Sequence, residues 1–299
     1  MKNERSNNKK QPDASVIIPS YNHAGYISGV LSSLENQETD YTYEVIVVDS
    51  GDDETGQIVT EDFPWVRYIK LPRRAFPGEA RNAGVEAAAS DVILFTDTDC
   101  TVCSRWIDLY VSDQKKGKTA IAGPVKNGTP FNPIGTLDYL LEFYDSMHHR
   151  QGIKEGPVGT VNVSFHKSIF LTYGPLDDYI KGSDSRFSRK ILAGGTKIHY
   201  NPSALVWHFN RTSLKKVLRN QFLLGKGAAL TFSTRDSILL KFPVLIFLVP
   251  FIRSLRIGWI LLRNSLKNWL LFLILYPLVL VGLSKHAYGF AKGSWGEKN

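Results

Sequence analysis

Cysteine is nearly missing from this 299-residue chain: there are two, Cys100 and Cys103, too few for a disulfide framework. The first stretch, MKNERSNNKKQPDAS, has no apolar segment of the kind a secretory signal needs, so the sequence predicts a body that stays in the cytosol. On that expectation the Asn-x-Ser/Thr triplets at Asn127, Asn162 and Asn210 are chance matches and not glycan acceptors. No internal repeat or low-complexity tract is found, which excludes solenoid, collagen-like and disordered classes. Acid is scarcest at the C-terminal end. From Arg211 to Asn299 there are 14 basic residues and 2 acidic ones, against 22 and 26 in the first 210. A mildly acidic body therefore carries a basic tail. Its cations interleave with Leu/Ile/Phe runs, which points to an anionic membrane surface and away from nucleic acid.

What the chain does have is ample apolar material, 43% hydrophobic against 21% charged, enough for one large domain or two. A strand-helix alternation starts at residue 14. Apolar strands are read at 15–19, 44–49, 66–71, 91–97 and 119–125, with helices within 27–34, 52–63 and 78–89. The strand runs are continuous and not alternating, as expected of strands buried on both faces of a mostly parallel, helix-flanked sheet. After about residue 130 the rhythm becomes irregular, up to 202–207, and a helix follows over 213–230. In such sheets ligands bind beyond the carboxyl ends of the strands. Asp49 and Asp97 both stand at such ends.

Asp97-Thr98-Asp99 closes the 91–97 strand. Carboxylates at i and i+2 on a turn can converge on a divalent cation and a ribose hydroxyl, and hard oxygen ligands suit Mg²⁺ or Mn²⁺. The competing reading is an acidic, solvated loop. A calcium loop starting at Asp97 is excluded, since its sixth position is Val102 and its twelfth Asp108. Cys100 and Cys103 lack the second pair or nearby His of a zinc site and read as small buried residues.

Three segments then agree in order and spacing: SVIIPSYNHAGYI at 15–27, EVIVVDSGDDET at 44–55 and FPGEARNAGVEAAASDVILFTDTDC at 76–100. Together they resemble the family 2 glycosyltransferases, enzymes of GT-A fold, over residues 14 to about 230. The resemblance implies that Pro19, Tyr21 and Asn22 line the nucleotide pocket. It implies that Asp49 holds the base or ribose, that Arg81 contacts the nucleotide, and that Asp97 contacts ribose or sugar. Asp99 would bind the metal that bridges the diphosphate. The segment after Asp49 is one residue shorter than the commonest family pattern, which loosens any role for Asp52 and Asp53.

The acceptor half resembles the same family through GTVNVSFHKSIF at 159–170, GPLDD at 174–178, GSDSRFSRKILAGG at 182–195 and YNPSALVWHF at 200–209. By that resemblance Asp184 is the general base, although Ser183 replaces the usual Glu and Arg186 stands where another acid is common. A plain helix N-cap is the alternative for Asp184. His208 is implied as a further metal ligand or diphosphate contact. Gln221 and Lys226, in NQFLLGKG, are implied to reach the acceptor or diphosphate; Lys226 reads equally as a membrane-facing charge.

The implied reaction is inverting, metal-dependent transfer from a nucleotide-diphosphate sugar, UDP favoured, to a lipid-linked or saccharide acceptor in cell-surface polysaccharide or glycolipid synthesis. A nucleotidyltransferase is disfavoured because PSYNHAGY offers no Gly-rich, cationic loop. A catalytically inactive membrane-bound nucleotide-sugar scaffold is the alternative from another class. The expected organisation is a polar N-terminal segment at 1–13, a catalytic domain at 14–232 that divides near 125, and a membrane-associated helical region at 233–299. In that last region Phe242–Ile252 is uncharged but short for a ~30 Å hydrocarbon core, and Asn268–Ser284 just reaches the length needed. Arg253, Arg256, Arg263 and Lys267 lie between them, where two spanning helices would set positive charge on the far side. Interfacial or re-entrant helices on the cytoplasmic membrane, with the catalytic domain facing the cytosol, satisfy both constraints; a spanning hairpin and a soluble core hairpin are the alternatives.

Overall fold

The computed structural model describes residues 11–147, 152–179, 181–231 and 243–296. Most of the polar segment 1–13, and the expected boundary near 232, lie outside the described residues.

Strands β1 (Ala14–Ser20), β2 (Tyr43–Asp49), β3 (Arg67–Lys70) and β4 (Val92–Thr96) alternate with helices α1 (Ala24–Glu35), α2 (Thr55–Asp62) and α3 (Pro77–Ala87). These strands pair in parallel in the order β3-β2-β1-β4. Helix α1 buries Ile27, Val30, Leu31 and Leu34, the i, i+3, i+4, i+7 stripe of its sequence. Its first turn is capped from outside, because Asp53 Oδ2 accepts from the Ala24 amide at 2.9 Å. Burial pushes the Asp53 carboxyl up, but bonds from the Thr55 hydroxyl and the Ala24 and Thr55 amides outweigh it and leave it below the usual carboxylate range.

The sheet then changes direction. Strand β9 (Asn162–His166) runs antiparallel between β4 and β6 (Ala120–Ala122), and β10 (Ile198–Tyr200) and β8 (Gly152–Lys154) complete eight strands. The sheet is thus mixed, with its parallel part confined mainly to the N-terminal half. The strand expected over 119–125 is broken at Gly123-Pro124. Its continuation, β7 (Val125–Asn127), joins a second sheet, since Pro124 has no N–H for the ladder. That sheet has the order β5-β11-β7, with β5 (Cys100–Val102) and β11 (Val206–His208). The "irregular" stretch also holds α5 (Pro133–Glu142), α6 (Ser168–Tyr173) and α7 (Ser183–Ala193), after α4 (Trp106–Lys115).

Asn162 ties the two sheets together. Its Oδ1 accepts from Trp106 Nε1 at 2.9 Å and Tyr110 OH at 2.7 Å, and its Nδ2 donates to the Pro124 and Ala204 carbonyls, both at 2.8 Å. All four bonds an amide can make are thereby used in a buried setting. Asn162 and Asn210 are buried, consistent with reading their triplets as chance.

Helix α8 (Leu214–Thr231) leaves β11 and packs along α11 (Tyr276–Gly296). Between them in sequence lie a 3₁₀ turn (Pro243–Leu248), α9 (Val249–Asn264) and α10 (Leu266–Ile274). Glycine makes the α8–α11 approach feasible: a Cβ on Gly225 would sit 2.0 Å from the His286 carbonyl oxygen, and one on Gly289 2.1 Å from that of Phe222. The tail is therefore docked on α8 and α5. Arg253, Arg256 and Arg263 lie inside α9 and not in a loop between two apolar spans, because the apolar pattern continues helically through them. The stretch Leu245–Asn264 is long and apolar enough to cross a membrane, with a third of it buried; α10 and α11 meet at a bend of 82°.

Candidate active site

The second sheet assembles the site. Register places His208 opposite Cys100 on one side and Asn127 on the other, so the residue before Cys100 meets the end of β11. Asp99 Oδ1 lies 3.4 Å from His208 Nε2. The other ring nitrogen, Nδ1, pairs with Asn210 Oδ1 at 3.0 Å, and the Phe143 ring lies 4.7 Å from the imidazole. Donor atoms of Asp99, Cys100 and His208 all fall within 4.8 Å of one another, close enough for one ion. Burial, then the charges of Asp99 and Asp97, push the Cys100 thiol well above its usual range. The Asp99 carboxylate and His208 imidazole are an oxygen and nitrogen donor pair of the kind that can hold a divalent cation.

Asp97, at the end of β4, accepts from Arg81 Nη2 at 2.5 Å. Arg81 is buried on α3 and its Nε has no partner among the described residues. It is not the solvated helix residue that an Ala-rich segment would allow. Between the two acids, the Thr98 hydroxyl pairs with His23 Nδ1, which links this turn to the start of α1. Tyr21 is exposed with the Arg74 guanidinium 4.5 Å over its ring, and Pro19 is half-buried. Asn22 adopts a left-handed φ of 55°, and its Oδ1 accepts from the Asp52 amide at 2.8 Å. Asp49 is fully buried. It accepts from the Tyr68 hydroxyl (2.9 Å), Lys70 Nζ (3.3 Å) and the Gly51 amide (3.1 Å). Burial and the Asp49 carboxylate push the Tyr68 hydroxyl up, which keeps it a neutral donor.

Asp184 is the second residue of α7; the N-cap is Gly182, so Asp184 is not the cap. Its Oδ1 accepts from the Ser185 amide at 2.7 Å. Oδ2 has no hydrogen-bond partner among the described residues and faces Gly159, where a Cβ would come to 3.3 Å. Arg186 pairs with Asp177 at 2.9 Å and stacks 4.8 Å over Tyr179. On α8, Gln221 is buried and its Nε2 has no partner among the described residues, while Lys226 is exposed.

One part of the site carried no sequence reading. Asp138 and Glu142, i and i+4 on α5, meet Arg211 Nη1 at 3.0 and 2.7 Å just behind His208, and Asn220 Nδ2 donates to Glu142 as well. The available signal was two acids on the buried stripe of an otherwise apolar helix, PIGTLDYLLE.

A family model described as glycosyl transferase family 2 matches residues 15–171. The chain belongs to this family. It is a glycosyltransferase, an enzyme that uses nucleotide sugars, on a GT-A fold. Among its relatives, glycosyltransferase AglE of Haloferax volcanii is 27% identical, covering 72% of this chain and 73% of AglE. A pre-mycofactocin glycosyltransferase of Mycobacterium tuberculosis is 26% identical over 73% of this chain but only 47% of its own length. Of solved structures, mannosyltransferase PcManGT of Pyrobaculum calidifontis, in complex with GDP-Man and Mn²⁺, aligns at a TM-score of 0.61 and 19% identity, covering 97% of this chain and 89% of that one. TarS 1-349 of S. aureus in complex with UDP aligns at 0.55 and 17%, covering 95% and 91%. At these identities the structural likeness speaks for the fold alone.

Proposed function

We propose that this glycosyltransferase moves a sugar, with inversion, from a nucleotide-diphosphate donor to a lipid-linked acceptor at the cytosolic face of a membrane, and that it requires a divalent cation. The observation that carries the reading is the meeting of Asp99 with His208 at 3.4 Å beside the Arg81–Asp97 pair. Asp99 and His208 would hold the cation, which when bound supplies positive charge against the departing diphosphate. Arg81 fixes Asp97 toward the ribose or sugar, and Tyr21, Asn22 and Pro19 form the nucleotide wall, with Asp49 bracing it. Asp184 Oδ2 takes the proton of the acceptor hydroxyl as that oxygen attacks the anomeric carbon from the face opposite the diphosphate. One base suffices for inversion. In this reading Gln221 and Lys226 serve the acceptor or the diphosphate.

The test is release of nucleoside diphosphate by purified full-length protein, offered UDP-, GDP- and dTDP-sugars with a lipid-linked acceptor extract. Mn²⁺ should restore activity after chelation, and Asp99→Ala should need far more Mn²⁺ for donor binding. Donor binding without release under every condition would establish the inactive scaffold instead. Activity untouched by chelation would remove the cation from the mechanism.

Membrane attachment rests on the exposed face of α9 and α10. Leu255 is 73% and Trp259 60% exposed, with Phe251, Ile252, Leu262 and Leu270 beside them. Arg256, Arg263 and Lys267 are exposed on the same two helices. A soluble surface rarely leaves so many large apolar groups together. Cations beside them suit anionic headgroups, as in a helix lying in the interface. Because α11 is docked on α8, truncating the tail would damage the acceptor half. Substituting Phe251, Leu255 and Trp259 with Asp is the cleaner trial: at about 1.5–3 kcal/mol per fully buried large apolar side chain, the triple variant should leave the membrane fraction. Full-length wild-type protein that stays soluble without detergent would defeat the membrane reading.

A further inference from the structure

The site leaves unexplained a groove between α8 and α11, of about 540 Å³, the size of a small-ligand site. Its floor is apolar, formed by Leu218, Phe222 and Tyr288, with the two rings 5.6 Å apart. Its lining also holds three cations, Lys215, Arg219 and Lys285. An adjoining recess of about 400 Å³, lined by Leu280 and Val281, shares Lys285 and Tyr288 and extends the apolar surface. Lys215 and Arg219 stand at i and i+4 on one face of α8, a like-charge pairing that weakens a helix. Neither helix contains an Asp or Glu, and among the described residues none of the three cations has a carboxylate partner. Three unneutralised cations around an aromatic and aliphatic floor are complementary to one chemistry, an anionic head on a hydrocarbon chain. Helix α8 starts just beyond His208 and carries Gln221 and Lys226, so the groove belongs to the helix that leaves the active site on its acceptor side.

We propose that this groove holds the phosphate head and first hydrocarbon segment of the lipid-linked acceptor. The proposal rests on the lipid-linked reading above and gives that acceptor a seat. The phosphate sits among Lys215, Arg219 and Lys285, and the chain runs over Phe222 and Tyr288 toward Leu280 and Val281.

The probe is octyl phosphate, titrated calorimetrically into full-length protein in neutral detergent against a detergent blank. Inorganic phosphate and octyl glucoside serve as the head alone and the tail alone. Octyl phosphate should bind, and inorganic phosphate should bind at least tenfold more weakly. Octyl glucoside should not displace octyl phosphate at equal concentration. The K215E/R219E/K285E variant should weaken octyl phosphate binding about tenfold or more, since it replaces three cations near an anionic head with anions. K215Q/R219Q/K285Q, gentler on the fold, should show a smaller loss in the same direction. Nucleoside diphosphate binding, read in parallel, should be unchanged in both variants. Unaltered octyl phosphate binding in the charge-reversed protein overturns the proposal, as does inorganic phosphate binding equally tightly or octyl glucoside competing equally. If wild-type protein binds no nucleoside diphosphate at all, the transferase-site reading fails separately, and the octyl phosphate result still decides the groove.

Discussion

Asp184→Asn is expected to lower sugar transfer by about 10²- to 10⁴-fold, the range of a lost general base, while donor binding stays near wild type. Asparagine keeps the shape and an Oδ1 that can still accept from the Ser185 amide, so α7 should start unchanged. What it loses is the basicity of Oδ2, the oxygen that lies against Gly159 with no hydrogen-bond partner among the described residues. The proposed donor wall draws on β1, β2, β4 and α3, and Asp184 belongs to none of these elements. Two measurements on one preparation separate the roles: protection of the fold by nucleoside diphosphate, and its release in the presence of acceptor. Transfer within a few-fold of wild type would take Asp184 out of the chemistry. Loss of donor binding as well would make it a structural residue of the pocket.

The donor half was legible because each of its elements is local. Continuous apolar runs mark β1, β2 and β4, the 3.6-residue stripe marks α1, and both acids of interest sit at strand ends. The acceptor half was harder, for identifiable reasons. Strand β9, NVSFH, is short and polar at two positions, Asn162 and Ser164, because those side chains make buried hydrogen bonds with Trp106, Tyr110 and Gln114. A burial pattern carried by a fully bonded asparagine does not look hydrophobic. The three-stranded sheet was invisible for another reason. Its strands have three residues each, and their pairing joins positions about a hundred apart. Sequence resemblance nominated Asp99 and His208 separately; only the β5–β11 register explains why they meet. In the tail, charge counting placed the arginines between spans, whereas helical continuity puts them within α9.

Removing Arg211 should destabilise the protein by about 3–5 kcal/mol at pH 8, and much less at pH 5, because it would leave buried carboxylates without their counter-ion. The Asp138 side chain is 1% exposed and that of Glu142 14%. Burial, and then the Glu142 charge, push the Asp138 carboxyl up to about 6 even with Arg211 in place. Burial pushes Glu142 up too, but the Arg211 charge, aided by Lys181 and His208, wins and holds it below the usual range. Burial also opposes the Arg211 charge, yet Glu142, Asp138 and Asp99 together raise its pKa further. In the intact protein the two carboxylates therefore act in opposite senses. Asp138, raised, contributes stability that is present below its unfolded pKa of about 4 and is lost as pH climbs through about 6. Glu142, lowered, contributes stability that is present above its unfolded pKa and is lost as pH falls through its folded value. In Arg211→Met the strongest attraction holding Glu142 down is gone, and both acids become raised groups. Their contributions then have the same sign, so the variant's deficit should open between about pH 4 and 6 and keep growing above that. Guanidinium unfolding of wild type and variant at pH 5 and pH 8 reads this directly. Arg211→Met/Glu142→Gln should flatten the pH dependence and recover part of the loss, since a neutral amide still meets Asn220. A deficit equal at both pH values would show that Arg211 acts through packing and not through the charges it neutralises.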